Sequence, residues 1–237
     1  MNNMDNMKSI AFIVAMEKEF NQLRTILSDI EEETHDNVSY SIGVLNNYKI
    51  ILCHSGIGKV NAAIAAMRLM MHYQPHLVVS TGVAGGADCS MNVMDVVVGS
   101  EYVYHDMYCG KACAPGQVLG MPPRFSAPND IIQKALSVSH PDGNIHAGLI
   151  VTGDWFVDDK NKMQTIVNDF PEAKAVDMES CAIAQTCYIY NTPFVSFRII
   201  SDIPLNDTDA SQYFDFWERL ASGSFAVVRD FVHKLTD

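Results

Sequence analysis

Acidic residues recur in this sequence at points where apolar, strand-like runs end. Five of them follow such runs at three places in the chain: Glu17, Glu19, Asp177, Glu179 and Asp202. The stretch FRIISDIP shows the pattern plainly, because an apolar run ends in a carboxylate and then a proline. A carboxyl group held at such a place can donate or accept a proton in catalysis. The structural alternatives are acids that complement a helix dipole or cap a helix or a turn.

The order of the apolar runs predicts strands that alternate with helices. Strands are expected at Ser9–Ala15, Val38–Val44, Tyr48–His54, His76–Thr81, Met94–Tyr104, Ala147–Thr152, Ala173–Val176 and Pro193–Ser201. Helices are expected at Met16–Leu27, Lys59–His72, Asn129–Ser137, Lys160–Asp169, Glu179–Tyr190 and Asp215–Leu235. This alternation predicts an α/β fold with helices on both sides of a central sheet. A hairpin expected at Asn46-Asn47 makes that sheet mixed.

Two glycine-rich loops are predicted beside the acidic residues. Ser55–Lys59 (SGIGK) follows one predicted strand and Thr81–Gly86 (TGVAGG) follows the next. Sites in such folds lie outside the carboxyl ends of the strands, so the loops and the carboxylates are expected on one rim. The first loop is not a P-loop, since Cys53 and Val60 stand where that motif needs Gly and Ser or Thr. Glycines that let a flat heterocycle or a sugar approach the backbone explain both loops.

Composition favours a single globular domain, expected at residues 8–237, with residues 1–7 as a disordered N-terminal extension. The chain has 237 residues, 48% of them hydrophobic. Its formal charge of -12 argues against nucleic acid or an anionic membrane surface as a partner. No apolar segment approaches the roughly 20 residues that span a bilayer, and the N-terminal residues do not resemble a signal peptide. A cytoplasmic protein is therefore expected.

The cysteines support the same compartment. Six are present without a CxxC pair, and most lie in apolar runs, which favours buried thiols in a reducing environment. Cys109 and Cys113, with His105 and Asp106 just upstream, leave a metal site as an alternative. No second ligand pair of recognisable spacing follows them, so no metal is predicted.

Seven short segments occur in an order and spacing that resemble one family: AMEKE, SGIGKVNAA, TGVAGG, YHD, TGDWFV, VDMES and RIISD. Together they resemble the bacterial 5′-methylthioadenosine/S-adenosylhomocysteine nucleosidases of the nucleoside phosphorylase superfamily, from about Lys8 to the C-terminus. The resemblance implies a three-layer, nucleoside phosphorylase-like α/β fold, a homodimer, and no cofactor or metal. It implies a small-molecule adenine nucleoside as ligand, whose N-glycosidic bond is hydrolysed to adenine and a thioribose.

The resemblance also assigns the catalytic residues. Asp202 matches the acid that protonates the leaving purine at N7, and Ser201 lies beside it to orient the carboxyl group. Glu19 matches the residue that positions and activates the attacking water, and Arg198 one that holds the water and the glutamates. The bond breaks through an oxocarbenium-like ribose, as in glycoside hydrolysis. To donate a proton near neutral pH, Asp202 needs burial or hydrogen bonds that favour its neutral form.

The substrate-binding residues follow from the same resemblance. Glu179 matches the residue that binds the ribose 2′- and 3′-hydroxyl groups, with Met178 packed beneath the sugar. Phe156 matches the position that stacks on the purine, and Val157 gives a backbone contact to the base. Tyr213 flanks the thioalkyl group. The remaining residues assigned to the substrate-binding surface are Met16, Ile57, Val83, Gly85 and Asp177.

Three places depart from the family pattern. Val83 stands where some members have serine, so a hydrogen bond near the ribose or the water is expected to be lost. Asp177 replaces a more familiar glutamate. The segment Met107–Pro115, which in the family helps to cover the 5′-substituent across the dimer interface, differs most. Preference among methylthioadenosine, S-adenosylhomocysteine, 5′-deoxyadenosine and aminodeoxyfutalosine therefore stays open.

Two other functions are compatible with this kind of fold. A purine nucleoside phosphorylase would need a cationic cradle for phosphate, typically arginines, whereas the glycine loops offer only Lys59. A nucleoside-binding protein without catalysis would lack the acid or the water-positioning carboxylate, yet Glu19, Glu179 and Asp202 are all present. Both comparisons favour hydrolysis.

Overall fold

The computed structural model describes Met4 and residues 7–206, 212–213, 216 and 226–235. Its strands are β1 (Ser9–Val14), β2 (Ser28–His35), β3 (Val38–Leu45), β4 (Tyr48–His54), β5 (Leu77–Gly86), β6 (Val96–Tyr104), β7 (Phe125–Ser126), β8 (Ile145–Thr152), β9 (Ala173–Asp177) and β10 (Phe194–Asp202). Its helices are α1 (Glu17–Arg24), α2 (Lys59–Tyr73), α3 (Asn129–Leu136), α4 (Lys160–Asp169), α5 (Ser180–Ile189) and α6 (Ala226–Lys234).

These strands form one mixed sheet, and half of the sheet closes on itself. The strand β10 pairs with both β5 and β6, so the order β10–β6–β8–β9–β5 is a closed ring. From β5 the sheet continues as an open arm through β1, β4 and β3 to β2 at its edge. The predicted α/β fold with a central mixed sheet flanked by helices is confirmed.

Burial of the strands explains their apolar sequences. Every residue of β1 and of β10 is buried, as expected for strands that are covered on both faces. Helices α2 and α5 pack against each other, and the buried face of α2 carries alanines, whose small side chains allow close approach. On the ring, Phe231 of α6 packs on Phe197 of β10 with ring centroids 4.8 Å apart.

The strand ends that carry the acidic residues lie at one rim, although not all of these strands run parallel to one another. Strands β1, β4, β5 and β10 run parallel, so their carboxyl ends share one rim. Strand β9 is antiparallel to β5 and pairs only with its last two residues, Gly85 and Gly86. Asp177, the last residue of β9, therefore lies at the same rim although β9 runs in the opposite direction to β5.

The largest error in the predicted elements is the second glycine loop. Thr81–Gly86 is not a loop but the continuation of β5, because its backbone pairs with β10 and then with β9. The hairpin at Asn46-Asn47 is confirmed: β3 and β4 are antiparallel, and Asn46 has a φ of 48°. Strands β2 and β7 were not predicted; β2 (SDIEEETH) is acidic and mostly exposed, so it lacks an apolar run.

Two predictions on the chain ends lie largely outside the described residues. Of the N-terminal extension, Met4 is buried and accepts a hydrogen bond from the backbone N–H of Met7. Of the last helix, the structure describes α6 and helical residues at 212–213 and 216. The single domain at 8–237 stays a prediction. Within the part of the chain that is described, no helix has the length and apolar character to cross a membrane.

Candidate active site

A single cavity collects the predicted site residues at the rim of the ring. Its empty volume is about 660 Å³, including space that opens to solvent, which suits a small-molecule ligand. All fourteen predicted residues line it: Glu19, Arg198, Ser201, Asp202, Met16, Ile57, Val83, Gly85, Phe156, Val157, Asp177, Met178, Glu179 and Tyr213. Glu17, by contrast, is exposed on α1 and is not part of the lining.

The guanidinium of Arg198 lies in the middle of this site and is 1% exposed. Its Nε donates to Asp177 Oδ2 at 2.7 Å, and its Nη2 donates to the hydroxyl groups of Ser80 (3.0 Å) and Ser180 (3.1 Å). Its Nη2 is also 3.8 Å from Glu179 Oε2. Burial alone would lower the pKa of Arg198, but the surrounding carboxylates outweigh it and raise that pKa above its ordinary value.

Glu19 is held by two backbone N–H groups from different elements. Its Oε2 accepts from Met16 N at 3.0 Å, as expected for an acid in the first turn of α1. Its Oε1 accepts from Val83 N on β5 at 3.2 Å, which turns the carboxylate into the cavity. Burial raises the pKa of Glu19, although Arg198 and these N–H groups oppose the effect. Glu19 thus both lies in the first turn of α1, as the capping alternative expects, and lines the cavity.

Glu179 and Asp177 make different sets of bonds although they are two residues apart. Glu179 Oε1 accepts from Gly58 N at 3.0 Å, and burial raises the pKa of this carboxyl group. Asp177 accepts from the Thr152 hydroxyl at 2.5 Å, from Ser180 N, and from Arg198. The Asp177 oxygens therefore hold the start of α5 and the guanidinium, while Glu179 lies nearer to the ligand space.

Asp202 ends β10 beside a hydroxyl donor. The Ser201 hydroxyl donates to Asp202 Oδ1 at 2.5 Å, and both side chains are buried. The other oxygen, Oδ2, lies 3.7 Å from where a Cβ on Gly85 would be. The carboxyl group thus has a fixed orientation next to a backbone surface that a flat ligand can approach.

The mouth of the cavity is apolar and aromatic. Phe156 and Ile57 are 46% and 53% exposed, and Phe156 meets Tyr213 edge to face with ring centroids 5.1 Å apart. Exposed aromatic surface beside a cavity is available to stack on a ring. The site therefore combines an aromatic mouth with an acidic interior.

Comparison with known proteins agrees with this arrangement. The family model described as "Phosphorylase superfamily" matches residues 9–233. A 5′-methylthioadenosine/S-adenosylhomocysteine nucleosidase of Anoxybacillus flavithermus is 40% identical over 230 residues, which are 96% of this chain and 99% of the relative.

This chain belongs to the 5′-methylthioadenosine/S-adenosylhomocysteine nucleosidase family. The structure of the S. pneumoniae nucleosidase with the transition-state inhibitor MT-ImmA is 32% identical, with a TM-score of 0.89 over 96% of this chain and 99% of that one. The nucleosidase of Colwellia psychrerythraea in complex with adenine is 34% identical, with a TM-score of 0.87 over 97% and 96% of the two chains.

Two departures from the nucleosidase family pattern have local consequences. Position 83 supplies its backbone N–H to Glu19, so this bond is made whether the side chain is valine or serine. The side chain of Asp177, shorter than a glutamate, still reaches Arg198 and Thr152 within hydrogen-bond distance. The contact between Asp177 and Arg198 that fixes the site is therefore present in this chain.

Gly82 lies against two of these side chains, and the sequence does not single it out. A Cβ at this position would lie 2.6 Å from Glu19 Oε1 and 2.7 Å from Arg198 Nη1. Gly82 is the register partner of Arg198 on the neighbouring strand, so the carboxylate and the guanidinium lie directly over its backbone. Gly82 belongs to the TGVAGG segment, whose glycines predict close approach of a ligand rather than of Glu19 and Arg198.

A second missed group lies beside the cavity and consists of Lys59, Asp106 and Asp154, named here the Lys59 ion cluster. Lys59 Nζ donates to both oxygens of Asp106, at 2.7 and 2.8 Å. Asp106 also accepts from Asp154 N at 2.9 Å. The YHD and TGDWFV segments contain these acids, but the sequence assigns no role to Asp154 and considers Asp106 only as part of a metal site.

The site residues offer no evident metal ligand set. Among the residues the structure describes, no group of three His, Cys, Asp or Glu side chains is placed to hold a metal ion. Of the six cysteines, Cys53, Cys181 and Cys187 are buried, whereas Cys109 and Cys113 are partly exposed and Cys89 is exposed.

The position of Gly82 yields a testable prediction. Gly82→Ala must displace Glu19 or Arg198, both of which are tied into the site, so we expect kcat/KM to fall at least roughly 10²-fold, as small misplacements of catalytic groups do. The measurement is steady-state adenine release, with the melting temperature recorded alongside.

The matched control is Gly148→Ala, another strand glycine. A Cβ there would lie 2.3 Å from Lys174 Cγ, a clash as close as the one at Gly82, but Lys174 lies outside the cavity lining. We expect this variant to keep its activity. A Gly82→Ala enzyme with unchanged kcat/KM would show that Glu19 and Arg198 tolerate displacement.

Proposed function

We propose that this chain hydrolyses the N-glycosidic bond of 5′-methylthioadenosine, S-adenosylhomocysteine and related 5′-substituted adenine nucleosides. The products are adenine and a thioribose. The observation that carries the proposal is the charge of the cavity, whose lining contains four carboxylates and a single guanidinium, which is paired with two of them, Asp177 and Glu179. A developing ribosyl cation is stabilised by such surroundings, whereas an anionic co-substrate is not.

In the proposed mechanism Asp202 is the general acid. As the bond between C1′ and the purine nitrogen breaks, its electron pair moves into the purine, and Asp202 gives a proton to N7. The Ser201 hydroxyl, 2.5 Å from Asp202 Oδ1, orients the acid. Gly85 leaves the space through which the base approaches. Adenine thus leaves as a neutral molecule, which lowers the barrier.

Glu19 positions the water that attacks C1′ and accepts its proton. Burial raises the pKa of Glu19, which makes the carboxylate a stronger base than an exposed glutamate. The backbone N–H groups of Met16 and Val83 and the guanidinium of Arg198 fix its direction. The attack forms the C1′–O bond. Glu19 takes one proton from the water and Asp202 gives one to adenine, so the enzyme gains and loses one proton in each turnover.

The remaining lining residues bind the nucleoside. Glu179 accepts hydrogen bonds from the ribose 2′- and 3′-hydroxyl groups, and Met178 packs beneath the sugar. Phe156 stacks on the purine, Val157 contacts it through the backbone, and Tyr213 flanks the 5′-substituent. Asp177 acts indirectly, by positioning Arg198, since its oxygens are bonded to Arg198, Thr152 and Ser180.

Phosphorolysis is disfavoured by the same geometry. The one cation of the glycine loops, Lys59, is bonded to Asp106 and lies 3.7 Å from Asp154, so its charge is already balanced. Arg198 is likewise bonded to Asp177 and faces Glu19 and Glu179. Phosphate would enter a cavity of net negative charge, so water is the better nucleophile.

The reaction type can be tested directly. We expect adenine release from 5′-methylthioadenosine and S-adenosylhomocysteine in buffer free of phosphate, with no stimulation when phosphate is added. Including 5′-deoxyadenosine and aminodeoxyfutalosine measures the preference for the 5′-substituent. A strict phosphate requirement, or a ribose 1-phosphate product, would overturn the hydrolase proposal.

The role of Asp202 can be tested by Asp202→Asn, which keeps the shape but removes the acid. We expect kcat to fall by roughly 10²–10⁴-fold, while calorimetry shows that adenine still binds. Asp88→Asn is the control, since Asp88 is a half-buried acid outside the cavity lining. Full activity in Asp202→Asn would remove this residue from the mechanism, and an inactive parent that binds adenine would favour a nucleoside-binding protein.

We further propose that the protein is a cytoplasmic homodimer. The exposed face of α2 carries an apolar stripe, Val60, Ile64, Met67 and Met71, at helical spacing. Contiguous apolar surface of this kind is typical of an interface. The three buried cysteines are compatible with a reducing compartment.

The stripe predicts the effect of a single charge. In sedimentation equilibrium we expect the parent chain to be a dimer and Ile64→Glu to be largely monomeric, because a buried unpaired carboxylate is costly at an interface. Ile30→Glu, at a similarly exposed isoleucine on β2, serves as the control. A monomeric parent protein would contradict the dimer proposal without affecting the chemistry.

A further inference from the structure

The Lys59 ion cluster joins three loops, two of which contribute residues to the cavity lining. Lys59 begins α2 after the β4 loop, Asp106 follows β6, and Asp154 follows β8. The bonds between them involve backbone groups as well as side chains: Asp154 N donates to Asp106 at 2.9 Å, and Lys59 N donates to Asp154 Oδ1 at 2.8 Å. Movement of any one loop would therefore break bonds to the other two.

Glycines allow these loops to approach closely. Gly58 has a φ of +95°, and a Cβ there would lie 3.1 Å from Asp154 Oδ1. A Cβ on Gly153 would lie 2.4 Å from the ring of His105, so the β8 loop rests directly on the end of β6. The close approach indicates that the cluster has a defined geometry.

None of the three charged residues lines the cavity, but Trp155, next to Asp154, and Ile57, two residues before Lys59, do. Gly58, next to Lys59, donates its N–H to Glu179 Oε1 at 3.0 Å. Trp155 and Phe156, next to Asp154, form part of the aromatic mouth. A displacement within the cluster is thus passed to the carboxylate and to the aromatic ring.

The charged side chains of the cluster are partly exposed to solvent. The side chains of Lys59 and Asp106 are 22% and 29% exposed, and that of Asp154 is 47% exposed. Ion pairs this close to solvent contribute little to the free energy of folding. The energetic value of the cluster therefore lies in fixing the loops rather than in holding the fold.

We propose that Lys59, Asp106 and Asp154 are positioning residues, which set Glu179 and Phe156 against the ribose and the purine of the substrate. This inference rests on the proposed function, because it assigns those two residues to the nucleoside. The cluster acts through Gly58 on one side and through the Trp155-Phe156 pair on the other.

The test compares Lys59→Met and Asp106→Asn with the parent enzyme. We expect kcat/KM for 5′-methylthioadenosine to fall by about 10- to 100-fold, mainly through KM, because Glu179 and Phe156 hold the substrate before the bond breaks. The melting temperature should change by no more than about 4 °C. Lys59→Arg, which can still bond both oxygens of Asp106, should recover most of the loss.

Lys174→Met is the matched control, since Lys174 pairs with Asp88 at similar exposure and outside the cavity lining. It should leave kcat/KM unchanged. Equal activity of Lys59→Met and the parent, an equal loss in Lys174→Met, or no recovery in Lys59→Arg would overturn the proposal.

Amide hydrogen exchange without substrate separates this inference from the proposed function. We expect faster exchange at Gly58 and Asp154 in Lys59→Met. If the parent enzyme releases no adenine, the hydrolase proposal fails and the exchange rates still decide whether the cluster holds the loops. Unchanged exchange at both amides would overturn the positioning role.

Discussion

The whole site depends on one buried cation. Arg198 is almost completely removed from water in the middle of a strand, where an unpaired guanidinium would be strongly unfavourable. Asp177, Glu179 and Glu19 surround it and are themselves buried, so each side of the arrangement requires the other. Removing one partner of such a set leaves an uncompensated charge, at a cost of about 3–5 kcal/mol. Backbone N–H groups and serine hydroxyls complete the bonding. They come from β5 and from the starts of α1, α2 and α5, which is why these elements must meet here.

Much of this could be predicted from the sequence, because buried strands and their acidic ends leave a strong local pattern. The run FRIISD predicts a covered strand with Asp202 at its tip, and the structure has that strand as β10. The resemblance to the nucleosidase family assigns fourteen residues to the site, and all of them line one cavity. Alternation of apolar runs likewise predicts α1 to α5 and most strands to within a few residues.

What could not be predicted depends on contacts between distant segments. TGVAGG has the composition of a loop, yet it is strand because β9 and β10 pair with it. The function of Gly82 depends on the two side chains that lie over it, and these come from α1 and β10. The Lys59 ion cluster joins residues separated by 47 and 95 positions, which no local pattern encodes. Ring closure has the same origin, since it needs β10 to pair on both edges.

The edge strand β2, which the sequence does not predict, limits how two copies of this chain can associate. β2 is the open edge of the sheet, and four of its eight residues are acidic: Asp29, Glu31, Glu32 and Glu33. A second copy that added its own β2 there would bring two rows of like charge together. Among the described strands, the ring closes the other end of the sheet and leaves only the two-residue strand β7 as a further edge. Strand-by-strand polymerisation is therefore disfavoured, and the helix faces are the better surfaces through which two molecules can join.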